Sequence, residues 1–169
     1  MVVLGVDPST VATGWGVVDG DSRSARAVSF GVIRASTRAP LDQRLRVIHE
    51  RIVEIIADVR PRILVIESPF FAKNARTAFA LGQVRGVVLL AAAQHEVPFT
   101  EYAAMEIKRS AVGYGAADKS QVVMMMSRIL GVHEPLPEDA ADALAAAWCH
   151  VCRDVRPALT RSVLGVRET

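Results

Sequence analysis

The chain has 169 residues, 51% of them hydrophobic and 22% charged, with two cysteines and a formal net charge of +2. That length suits one domain able to bury its own core, and the composition excludes disordered, collagen-like and disulfide-scaffold classes. The near-neutral charge excludes a basic tail or an acidic binder, yet leaves a phosphate-rich partner open.

Residues 2–6, VVLGV, form a short continuous apolar run that ends at Asp7-Pro8, the pattern of a strand buried on both faces. The opening has no basic leader, long hydrophobic stretch or small-residue cleavage site, so neither export nor membrane insertion is expected and a cytoplasmic location follows. GWGVVDG and AVSFGVIRA come next with turn residues in DGDSRS between them, which predicts antiparallel strands joined by a hairpin. From Leu41, the residues Leu45, Ile48, Ile52, Ile55 and Val59 recur at steps of three and four, marking an amphipathic helix that Pro61 ends. ILVIE at 63–67 repeats the opening pattern, again closing on an acid, Glu67.

Residues 74–95 read as a helix rich in Ala and Gly, whose small side chains let a neighbouring backbone approach. PFTEY is another strand, AAMEIKRSAV a short helix, GYGAADK a glycine-containing turn, KSQVVMMMSRIL a helix, and PEDAADALAAAWCHVCRD the last long helix. Strands followed by alternation with helices predict a mixed α/β fold, a sheet with helices on both faces. Residues 1–156 are expected to form a single domain and 157–169 a flexible tail.

Asp7 and Glu67 each stand at the carboxyl end of a buried strand, where ligands bind in open α/β sheets; an acid there can also simply begin a loop or cap a helix. Asp139 and Asp142 lie three apart among Ala141, Ala143, Ala145, Ala146 and Ala147, although like charges on one turn repel and Asp is a poor helix former. Asp139 in the first turn would suit the helix dipole; Asp142, deeper, lacks that excuse. If the four converge, protonation or cations must relieve them. An all-carboxylate oxygen set suits magnesium or manganese rather than zinc, and two such ions could serve phosphodiester displacement. Cys149 and Cys152 could be half a zinc site or a redox pair, but no second cysteine pair completes it, so a plain helix is the expectation. His49, His95 and His133 read as surface or loop residues, and the Met124–Met126 run as core filler.

GVDPSTVATGWGVV, VIESPFFAKNARTAFALGQVRGVV, EYAAMEIKRSAVGYGAADKSQV and DAADALAAAWCH resemble, in order and spacing, the RuvC-type crossover junction endodeoxyribonucleases, the bacterial Holliday-junction resolvases. The resemblance runs to about residue 152. It implies an RNase H-like fold, a five-stranded mixed sheet with the first and fourth strands adjacent and Asp7 beside Glu67. It also implies that Asp7, Glu67, Asp139 and Asp142 are catalytic metal ligands for Mg2+, with Mn2+ as substitute and two ions per site. Lys108 and Lys119 match basic positions near the scissile phosphate. Phe70 matches an aromatic directed at junction bases; Phe71, Lys73, Asn74, Arg76, Arg85 and Arg109 are further expected DNA contacts.

The resemblance further implies a homodimer built on the helix around Gly82, Gln83 and Gly86, symmetric nicking of a four-way DNA junction in recombination and repair, and a branch-migration helicase as partner. Pro8-Ser9-Thr10 departs from relatives that have glycine after the proline. Other readings are an RNase H-like nuclease for another branched or RNA substrate, and an inactive junction-binding module. Sugar kinases and actin-like ATPases open similarly but need a second phosphate loop and a second domain, for which 169 residues leave no room.

Overall fold

The computed structural model describes residues 1–68 and 75–153. Among them are five strands, β1 (Val2–Asp7), β2 (Ala12–Gly20), β3 (Ala25–Arg34), β4 (Ile63–Glu67) and β5 (Phe99–Tyr102). Five helices accompany them: α1 (Leu41–Val59), α2 (Ala75–Gln94), α3 (Ala104–Val112), α4 (Lys119–Leu130) and α5 (Glu138–Arg153). The strands form one sheet in the order β3-β2-β1-β4-β5, with β1 and β4 adjacent as expected. The β1-β2-β3 part is antiparallel, while β4 and β5 join in parallel, because α1 and α2 carry the chain back across the sheet before each parallel strand begins.

Side chains alternate across a strand, so each face of the sheet needs its own cover. Leu4, Val6, Val17, Leu64 and Ile66 meet Ile48, Ile52 and Ile56 of α1 and Val84 and Val88 of α2. The opposite parity, Val3, Val18 and Val65, meets α3, α4 and the alanines of α5. Each fully buried Leu, Ile or Val contributes about 1.5–3 kcal/mol, and the two clusters together make the sheet the centre of a three-layer sandwich. Met126 is the inward member of the methionine run, whereas Met124 faces solvent.

The segment Thr77–Gln94 is long and apolar enough, by length and composition, to cross a membrane, with mean hydropathy 1.3. Val84, Val88, Ala91 and Ala92 on one side of it pack into the protein's own core. The other side stays open: Phe79 is 73% and Leu90 52% exposed, and added Cβ atoms on Gly82 or Gly86 would meet nothing within 4 Å. The expected tail at 157–169 lies outside the described residues.

Candidate active site

Parity settles where the first two acids point. Asp7 shares its face of β1 with Val3 and Gly5, and Glu67 shares its face of β4 with Ile63 and Val65. Both faces belong to the side covered by α5. Val6 pairs with Ile66 in the parallel register, so Asp7 and Glu67 end neighbouring strands side by side.

The second pair arrives because α5 lies almost on the backbone of the sheet. A Cβ built on Gly5 would sit 1.9 Å from the Ala143 carbonyl oxygen, and one on Gly14 would sit 1.9 Å from that of Asp139. Gly14 is also the cross-strand partner of Asp7. Glycine on the strand and alanine on the helix remove the side chains that normally separate these layers, so the first turns of α5 rest above the end of β1. The alanines surrounding the aspartates thereby gain a purpose beyond helix propensity. Asp139 and Asp142, three apart, share one flank of that helix.

The turn from β1 to β2 is fixed by hydroxyls. The Thr13 hydroxyl, fully buried, donates to the Ser9 carbonyl at 2.7 Å and accepts from the Ser9 amide at 3.2 Å. Ser9 Oγ accepts from the amides of Val11 and Ala12, each at 3.4 Å. The serine that replaces the expected glycine thus closes the turn with its own side chain. A cavity of about 370 Å³ opens beside this turn, lined by Pro8, Ser9, Thr10, Thr77, Ala80 and Leu81.

Crowding of carboxylates leaves an electrostatic mark. Burial, then Asp142, Glu67 and Asp139, push the Asp7 carboxyl up to about 7, against a weaker opposing pull from Lys119. Burial and Asp142 raise Glu67, with Lys108 and Lys119 opposing. Burial also raises Asp142, although Lys119 and Lys108 work against it. Lys119, the first residue of α4, places Nζ 3.4 Å from Asp142 Oδ2 and 3.9 Å from Glu138 Oε2. Its burial disfavours the charge, yet Asp142, Asp139 and Asp7 together hold its ammonium above the ordinary lysine value.

Lys108, on α3, donates to the Ala117 carbonyl at 2.9 Å and lies within electrostatic reach of Glu67 and Asp142. Arg85, an expected DNA contact, donates to the Glu67 carbonyl at 3.1 Å and forms an ion pair with Glu101. Its side chain is only 16% exposed, so it braces the strand end that presents Glu67. Nothing in the sequence separated this arginine from its neighbours, because only the orientation of α2 decides which of them faces β5. Arg109 is exposed on α3. Phe70, Phe71, Lys73 and Asn74 lie outside the described residues, as does the side chain of Arg76.

The cysteine pair takes no part. Cys149 is buried, with Ser110 Oγ donating to its sulfur at 3.3 Å, and burial raises both thiols, Cys152 to about 11, far from a ready thiolate ligand. His49 bridges α1 to α2 through Gln94 at 2.9 Å.

The four acids suit a hard divalent cation in kind: every donor is a carboxylate oxygen, and Asp7 stands in a negative field that Lys119 offsets only in part. In position they are not yet a ligand set. Among the described residues no group of three or more His, Cys, Asp or Glu is arranged to hold a metal ion as it stands. Lys119 already engages Asp142.

Comparison with known proteins gives consistent matches. Residues 3–150 match the family model described as crossover junction endodeoxyribonuclease RuvC. Proteins of that name from Desulforamulus reducens and Saccharophagus degradans are 40% and 45% identical over 151 and 150 residues. Those alignments cover 89% of this chain in both cases, and 93% and 87% of the respective relatives. The structure of Thermus thermophilus RuvC in complex with a Holliday junction substrate superposes with a TM-score of 0.84 at 36% identity, covering 90% of this chain and 94% of that one. The yeast mitochondrial Holliday junction resolvase Ydc2, at 11% identity and a TM-score of 0.59, shares the fold.

Proposed function

The chain belongs to the RuvC family of crossover junction endodeoxyribonucleases, and from that premise we propose that it resolves four-way DNA junctions by metal-dependent hydrolysis of phosphodiester bonds. The observation that carries the reading is the meeting of Asp7 and Glu67, 60 positions apart in the chain, with Asp139 and Asp142 at one end of the sheet. A fold without chemical use for them has no reason to keep mutually repelling, half-buried carboxylates together.

Asp7, Glu67, Asp139 and Asp142 would hold Mg2+, with Mn2+ able to replace it; the cation supplies charge stabilisation to the attacking and leaving oxygens. Lys119 orients Asp142 and adds positive charge at the edge of the acidic cluster, where a phosphate must enter. Lys108 adds a second cation there and steadies the turn leading to Lys119. Arg85 keeps the Glu67 backbone in place. Phe70, Phe71, Lys73, Asn74, Arg76 and Arg109 serve as DNA contacts in this reading.

A homodimer supplies two such sites for a symmetric junction. The open side of α2 supports it: Phe79, Gly82, Gly86 and Leu90 share one flank, and neither glycine is required by contacts within the chain. Glycine inside a helix costs about 0.5–1 kcal/mol relative to alanine, a cost that close approach of a partner backbone would explain. A protein of this kind acts in the cytoplasm.

A synthetic four-way junction labelled on each strand in turn, incubated with Mg2+, is the direct test. Paired nicks in strands of like polarity, absent with EDTA, are expected. Binding without nicks would leave only a junction-binding module, and faster cleavage of RNA hybrid or fork than of junction would reassign the substrate.

A further inference from the structure

The connection from α3 to α4 does more than join helices. Gly113 ends α3 with φ +92° while its amide donates to the Arg109 carbonyl at 2.9 Å. Gly115 packs 3.3–3.4 Å from the Met105 carbonyl oxygen and Cβ, measured from an added Cβ, so the turn folds back against the first turn of α3. Lys108 ties Ala117 from below. Asp118 caps α4, accepting from the Gln121 amide at 2.9 Å and the Ser120 hydroxyl at 2.7 Å. The backbone is held on both sides of Tyr114, yet the side chain at the apex is an aromatic left 46% exposed, with Met105, 65% exposed, nearby.

A ring on an anchored backbone is a contact surface whose ordering cost has already been met. Its surroundings indicate the partner. Lys108 and Lys119 flank the turn in sequence, both act electrostatically on Asp142, and Arg109 is exposed one turn away. Aromatic side chains interleaved with cations beside a phosphate-cutting site form the usual surface for nucleic acid strands whose bases are not fully paired.

We infer that Tyr114 is a stacking platform for a base of the DNA strand that enters the acidic cluster past Lys108 and Lys119, and that it helps set which phosphate reaches the acids. The inference rests on the junction-nuclease reading above. It assigns Tyr114 a positioning role in substrate register and no part in the bond-breaking step.

The test uses four-way junctions carrying 2-aminopurine at successive positions around the nick, with wild-type protein, Tyr114→Phe and Tyr114→Ala. For wild type and Tyr114→Phe, quenching at one position is expected on binding. For Tyr114→Ala that quenching should vanish, junction affinity should fall by about fivefold or more, and nicks should spread to neighbouring phosphates, with Tm unchanged. Three outcomes overturn the inference: quenching and nick positions of Tyr114→Ala matching wild type, a Tm loss that accounts for its weaker binding, or Tyr114→Phe behaving like Tyr114→Ala. A wild-type protein that does not nick junctions refutes the parent reading instead, so the two failures are distinct.

Discussion

Replacing Gly14 with alanine probes the close approach of α5 to the sheet. The new Cβ would lie 1.9 Å from the Asp139 carbonyl oxygen and 2.4 Å from its carbonyl carbon. Both are helix backbone and cannot rotate away. Ordinary van der Waals contact begins near 3.4 Å, so the start of α5 and the start of β2 must separate by about 1.5 Å. Overpacking in a well-filled core costs about 1–3 kcal/mol, and a clash between two backbones belongs at the upper end, about 3 kcal/mol. The same displacement carries Asp139 and Asp142 away from Asp7, and misplacement of about 1 Å at a reacting centre can cost about 100-fold in rate. Urea unfolding should therefore show a clearly lower midpoint, and single-turnover junction cleavage should fall about 100-fold while junction affinity changes little. Wild-type cleavage and an unchanged midpoint together would refute the claim that glycine sets the distance between α5 and the sheet.

Asp7→Asn should abolish cleavage while sparing junction binding, and it should also change the dependence of stability on pH. A carboxyl raised from 3.8 to about 7 by burial and its acidic neighbours binds its proton more tightly folded than unfolded, so stability is lost as pH rises from about 4 to 7. At 1.36 kcal/mol per pH unit that interval amounts to roughly 4 kcal/mol, and the raised Glu67 and Asp142 act in the same direction. Without metal, wild type should be less stable at pH 8 than at pH 5, with Mg2+ restoring much of the difference and Asp7→Asn flattening it; equal urea midpoints at the two pH values would contradict this. Arg85→Met should lower stability by about 2 kcal/mol by leaving Glu101 unpaired and should not change how steeply junction binding weakens with salt. A salt slope reduced by about one would make Arg85 a phosphate contact instead. Gly82→Ala should raise intrinsic helix stability by about 0.5–1 kcal/mol yet weaken self-association in sedimentation; unchanged association would remove α2 from the dimer interface.

Much of this architecture could be read before any coordinates. The short apolar runs ending in Asp7 and Glu67, the helical spacing from Leu45 to Val59, and the alanine-embedded aspartates each carry a local signal, and the strands and helices form where those signals put them. What stayed hidden depends on orientation. Arg85 resembles any other arginine until α2 is docked with that side chain towards β5. Gly5 and Gly14 look like ordinary strand glycines until α5 lies across them. The amphipathic pattern that identified α1 is weak in α2, because Ala and Gly leave its two sides chemically alike, so its outward side could not be told from its inward side by periodicity.

The docking of α5 also has a consequence in time. Asp139 and Asp142 are made 132 and 135 positions after Asp7, on the order of ten seconds later at ordinary translation speeds. Until that last helix covers Gly5 and Gly14, β1 and β4 present only two of the four acids proposed as metal ligands. In the proposed function, cleavage would await the docking of α5, which brings Asp139 and Asp142 to Asp7.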